Sequence, residues 1–190
     1  MAFKLIPYSD TLDLTEFYAT AQQKGFVNNN SKKMLVDSLA KEDRFQVWML
    51  MWKEKVIGCT AAHSFPEMGP DSYRIACRIC TFTDQLPKEY KGLRGTDTIR
   101  NHQTTTQQFF QPAGIKWAGP NKNYYVTTNE NAEGTQRLVH KIVAPTLEET
   151  GVYTKARVLE YRGTRQTVWR GNADIYFKQL QTAKKWPTYE

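Results

Sequence analysis

"PKEYKGLRGTD", residues 87–97, holds two glycines, the cations Lys91 and Arg94, and an Asp suited to start a helix. The run before it, "SYRIACRICTFTDQL" from Ser72 to Leu86, has the apolar content of a strand. The run after it predicts a helix from about Thr98 to Gln111, ended by Pro112 and Gly114. A strand that turns through Gly92 and Gly95 into a helix capped by Asp97 gathers several backbone N–H groups at one point. The helix dipole adds partial positive charge there, and the glycines let an anion approach the backbone. This is the composition of a pyrophosphate cradle, and equally of a plain turn with solvated cations. The spacing is not Gly-x-x-x-x-Gly-Lys-Ser/Thr, so nucleotide hydrolysis of the Walker type has no support.

Outward from this loop, the chain alternates strand and helix patterns. "FKLIPY" predicts a first strand, and "SDTLDLTEFYATAQQKGF" a helix capped by Ser9 or Asp10 and stopped at Gly25. "SKKMLVDSLAKED" predicts a second helix, capped by Ser31. "RFQVWMLMWKEKVIGCTAAHSF" is a hairpin turning at "KEK", apolar on both faces and therefore buried. After the loop and its helix come the strand "NYYVTTNEN" and a helix with Leu138, Ile142 and Val143 on one face and a kink or restart at Pro145. Two closing strands around "RGTR" account for Val152 to Leu180, and residues 181–190 form a tail. The order predicts an α/β (α+β) fold: a mixed, mostly antiparallel sheet of about seven strands, with about four helices on its faces.

At 190 residues the chain is expected to be one domain with a core of its own. No stretch approaches the roughly 18 apolar residues of a membrane helix. Three cysteines, an odd number, argue against a disulfide framework and fit a reducing, cytoplasmic compartment. The formal charge of +7 and pI near 9.3 favour anionic partners: a nucleotide-like cofactor, an acidic surface or nucleic acid. The last would use "VLEYRGTRQTVWRG", where Arg157, Arg162, Arg165 and Arg170 interleave with Tyr161 and Trp169. An exposed hairpin with its aromatics turned to the core gives the same pattern.

The element order, with the loop just after the fourth strand, resembles the GCN5-related N-acetyltransferase (GNAT) fold. "LPKEYKGLRGTD" is similar to that family's loop, with Lys91 and Gly92 in the Arg-Gly places. The next glycine's place is taken by Arg94, and Gly95 comes one residue later. The resemblance implies an acetyl-CoA or other acyl-CoA cofactor, and a primary amine of a small molecule or protein as acceptor. Lys91, Gly92, Leu93, Arg94, Gly95 and Thr96 would then hold the pyrophosphate, and Asn129 of "TTNENA" the pantetheine. Asn129 also suits a helix cap. The family's general base has three candidates in Asp84, Glu67 and His63, the last equally a structural histidine. Its usual tyrosine acid has no counterpart: Gln136 stands in that place, and His140 one turn further. Small chains of this look also occur in tailed bacteriophages, some as virion parts. A catalytically lapsed assembly or interaction protein, homo-oligomeric or with other partners, is therefore the alternative to an enzyme.

Two further constellations are weaker. Cys77 and Cys80 have metal-pair spacing, but three residues apart on a strand they face opposite ways, so no metal site is assigned. No nucleophile-elbow sequence supports a hydrolase.

Overall fold

Strands β1 (Lys4–Pro7), β2 (Phe45–Trp52), β3 (Lys55–Ser64), β4 (Ser72–Ile79), β5 (Asn123–Asn129), β6 (Tyr153–Tyr161) and β7 (Thr164–Gly171) form one sheet, ordered β1-β2-β3-β4-β5-β7-β6. The structure, a computed structural model, describes residues 4–26, 28–79, 110–133, 137 and 139–182. Every pairing is antiparallel except β4 with β5, which run parallel. The expected mixed and mostly antiparallel sheet is what forms.

Among the described residues, five α-helices cover the sheet: α1 (Thr15–Gln23), α2 (Lys32–Leu35), α3 (Gln111–Ala118), α4 (Ala144–Glu149) and α5 (Ala173–Thr182). Side-chain alternation sorts the core between the two faces. Val47, Met49, Cys59 and Ala61 face Phe17, Ala21, Leu35 and Leu39 of the α1–α2 layer. Trp48, Leu50, Ile57, Ala62 and Ile75 face the opposite way, toward Phe110 and α3. Trp169, Val152 and Tyr153 continue that second face under α4 and α5.

Several local expectations shift. The first helix begins at Thr15, not after Ser9 or Asp10. Asp10 is drawn instead to Lys32, and Asp13 Oδ1 accepts the Thr15 N–H. Ser31 does cap the second helix, accepting from the Met34 N–H. That helix is a single turn followed by a 3₁₀ turn at Asp37–Leu39, because Leu35, Val36 and Leu39 must all be buried.

Pro112 and Gly114 do not mark a helix end. They lie inside α3, which stops at Gly119 with φ of 99°. Pro112 stands in the first turn, where its missing N–H costs little. Gly114 lets the helix lie directly on β4: a Cβ there would sit 2.7 Å from Ile75 Cγ1. Arg44 closes the far end of α3, donating to the carbonyls of Trp117 (2.5 Å) and Ala118 (3.3 Å) with its guanidinium 4.0 Å from the Trp117 ring centre.

The last strand also ends early. Asn172 Oδ1 accepts the Ile175 N–H, and Ala173–Thr182 is helix α5 rather than strand. Pro145 opens α4 directly after a π-helical turn at Val139–Val143, the expected restart. Ile142 of that turn is exposed while Val143 is buried, so they do not share a face.

Candidate functional site

β4 and β5 pair over three residues only, Ser72–Arg74 with Asn123–Tyr125. Beyond them β4 runs on to Ile79, held by β3, and β5 runs on to Asn129, held by β7. The sheet therefore opens between two parallel strands, and the facing edges of both are not paired with each other. Backbone N–H and C=O groups at such edges demand partners. The register between β3 and β4 also shifts here, with Cys59 opposite Ile79 and Thr60 opposite Cys77. This leaves one extra residue on β4 beside the opening, a device that re-aims backbone groups.

At the root of the opening stands Arg74, the last paired residue of β4. Its Nε donates to Thr127 Oγ1 on β5 at 2.9 Å, and its Nη1 lies 3.3 Å from His63 Nε2 on β3. Its guanidinium also sits 5.1 Å from the Tyr161 ring centre. One side chain thus stitches the β1–β4 half of the sheet to the β5–β7 half. Arginine only donates, so His63 Nε2 accepts; Nδ1 carries the ring proton and donates to the Ser64 carbonyl at 2.7 Å. His63 is fully buried, and Glu42 Oε2 lies 3.9 Å from its Nδ1. Glu42 in turn is bound by Arg162 at 2.9 Å, from the tip of the β6–β7 hairpin. Phe65, Tyr125, Tyr161 and Val168 pack beneath this network.

A second chain of contacts lines the other face. Trp169 Nε1 donates to Thr128 Oγ1 at 2.8 Å, and that hydroxyl meets His140 Nδ1 at 2.7 Å. The π-helical turn that follows β5 thereby holds its histidine against the strand. Nearby, Arg165 and Thr167 bond Glu130 and keep its carboxyl below the usual carboxylate range.

The sequence candidates are distributed unevenly around this geometry. Asn129 ends β5 on the open side, where its Oδ1 accepts the Asn131 N–H at 2.9 Å in a local turn. His63 lies at the root of the opening. Glu67 is exposed in the 3₁₀ turn between β3 and β4, at the closed end of the strand pair. Asp84, the loop residues Lys91, Gly92, Leu93, Arg94, Gly95 and Thr96, the helix expected from Thr98, Gln136, Leu138 and the chain after Thr182 all lie outside the described residues. Sequence reasoning missed Arg74 and Thr127, which act together only because two strands distant in the chain run parallel. The one available signal was an arginine within an otherwise apolar strand, and Arg78 of the same strand carries the same signal.

No protein-family model and no curated protein matches this sequence. Solved structures do. Aminoglycoside acetyltransferase AAC(6')-Ib, in complex with coenzyme A and kanamycin, superposes with a TM-score of 0.55 at 13% identity, over 94% of this chain and 99% of that one. The same enzyme with ribostamycin and coenzyme A gives 0.55 at 12%, over 94% and 97%. A GNAT family acetyltransferase from Elizabethkingia anophelis with acetyl-CoA bound gives 0.50 at 9%, over 90% and 98%. The chain has the GNAT fold along nearly its whole length.

Proposed function

We propose that the protein is an acyl-CoA-dependent N-acyltransferase that acylates a primary amine. The observation that carries this reading is the parting of β4 and β5 after Arg74 and Tyr125. Two unpaired strand edges facing one another suit a linear arm bearing amides, which hydrogen-bonds to backbone as an added strand does. Pantetheine is such an arm. The structural neighbours named above were solved with coenzyme A or acetyl-CoA, which supports the same cofactor here.

The loop after β4 then holds the pyrophosphate through Lys91, Gly92, Leu93, Arg94, Gly95 and Thr96, and Asn129 reaches the pantetheine from the end of β5. Acyl-CoA supplies the activated thioester. The amine nitrogen forms a bond to the acyl carbon, the carbon–sulfur bond breaks, and the thiolate leaves and takes up a proton. The nitrogen gives up its proton to a base. Alignment of amine and thioester provides much of the rate, and a backbone amide beside the β4 register shift polarises the carbonyl.

Among the three base candidates, Glu67 lies at the closed end and His63 has both ring nitrogens engaged. Asp84 follows β4 in the chain, and we assign the base to it. Calorimetric titration with acetyl-CoA tests the reading. Saturable binding, with release of free thiol on addition of an amine, is expected. No binding at millimolar cofactor overturns it.

A further inference from the structure

The register fixes which side chains share the face turned away from α3, α4 and α5. Arg74, Tyr125 and Arg170 form one row across β4, β5 and β7. Thr127, Val168 and Arg157 form another across β5, β7 and β6. Residues paired across strands project to the same side, so three arginines look out from this face beside the opening. The chain's end of the β6–β7 hairpin adds Arg162, whose charge is spent on Glu42. The other ion pair of these strands, Glu130 with Arg165, belongs to the opposite face, in line with Thr128 and Trp169.

Arg157 and Arg170 are exposed. Arg170 donates to the neutral Asn123 Oδ1 at 2.7 Å, and Arg157 takes part in no ion pair among the described residues. Among the described residues, α1 and α2 pack on the β1–β3 part of this face, and Phe65 and Met68 pack against Tyr125, Tyr161 and Val168 of its β5–β7–β6 part, while Arg157 and Arg170 stay exposed. A cleft of one charge sign concentrates ligands of the other.

We propose that the acceptor is an anionic amine: a primary amine flanked by carboxylates, as in a lysine within an acidic peptide. Arg157 and Arg170 bind its carboxylates, and Arg74 is a fixed charge at the root of the opening that orients them. This deepens the acyl-transfer reading above and rests on it. It also separates this protein from the neighbours whose structures contain kanamycin or ribostamycin, because an acceptor with several ammonium groups would meet guanidinium groups on this face.

The test is fluorescence anisotropy with a labelled Asp/Glu-rich peptide carrying one lysine, a Lys-rich counterpart, and unlabelled kanamycin as competitor. The acidic peptide is expected to bind, to weaken as salt rises, and to lose affinity roughly tenfold in the Arg157→Glu, Arg170→Glu double variant. Arg157→Lys is expected to retain binding, and circular dichroism of the double variant shows whether its fold persists. Tighter binding of the Lys-rich peptide or kanamycin overturns the proposal. So does equal affinity of parent and double variant, or a single-stranded oligonucleotide that outcompetes the acidic peptide. Acetyl-CoA calorimetry on the same proteins reads the other question. Peptide binding without cofactor binding sinks the acyl-transfer reading and leaves the anionic ligand standing.

Discussion

Arg74 makes contacts to three strands besides its own, through Thr127 on β5, His63 on β3 and the Tyr161 ring on β6. A short or flat side chain in its place leaves Thr127 and His63 without that donor. Arg74→Leu is expected to cost about 1.5–3 kcal/mol, the range for hydrogen bonds involving a charged group, read as a lowered midpoint in urea. Arg74→Lys is expected to recover little, because an ammonium cannot span the same fork. An unchanged midpoint in Arg74→Leu would show that the two half-sheets do not depend on this stitch.

Also at the residue scale, Tyr153 is buried against Gln111, whose side-chain amide bonds its hydroxyl. Burial pushes the Tyr153 phenol up to about 12, and burial likewise raises Tyr124 and Tyr176. An unfolded chain's phenol ionises near 10. The stability linked to these neutral phenols is therefore complete below about pH 10 and is lost as pH rises toward 12 and beyond. Denaturation midpoints measured through this window should fall, and Tyr153→Phe should flatten the decline. A midpoint that stays level across the window contradicts the linkage.

At the scale of elements, α3 shows what a sequence reading handles poorly. Pro112 and Gly114 are helix breakers by propensity, yet both sit in this helix. The first is harmless in an opening turn, and the second is required by the distance to β4. Gly114→Ala should destabilise by about 1–3 kcal/mol as Ile75 is displaced. In a double-mutant cycle with Ile75→Ala, the combined cost should fall below the sum, since the removed side chain is the one the new methyl meets. Additive costs would mean that α3 is set by something other than this contact.

The elements read correctly were those with strong local signals. The β2–β3 hairpin turns at Lys53 and Glu54, both at positive φ, within the expected "KEK". The β6–β7 hairpin turns at Arg162 and Gly163, also at positive φ. Those misplaced depended on distant partners. Asp10 leaves the first helix because Lys32 holds it, and the residues after Gly171 turn helical because Asn172 caps them once β7 has run out of sheet to pair with.

At the scale of the whole molecule, the proposed acyl-CoA would lie in the opening between β4 and β5 and bridge the two half-sheets. Acetyl-CoA is therefore expected to raise the melting temperature in proportion to the logarithm of its concentration above Kd. Arg94 stands where the loop that this sequence resembles carries glycine, the residue that adds no side chain between backbone and anion. Arg94→Gly is expected to enlarge the thermal shift at a fixed acetyl-CoA concentration. A smaller shift would mean that Arg94 contributes charge to the phosphates instead of obstructing them.

The sequence by itself determined most of the order of strands and helices, the buried hairpin and the basic balance. These follow from periodicity and composition, which are local properties. Only the tertiary structure decided that β4 and β5 part after three residue pairs. It alone brought Arg74, His63, Thr127, Glu42 and Arg162 together, and it alone set the exposed Arg157 and Arg170 on one face of the sheet. The reason is physical: register and parallel pairing are fixed by packing between segments some fifty residues apart (Arg74 to Thr127), and no local pattern encodes them.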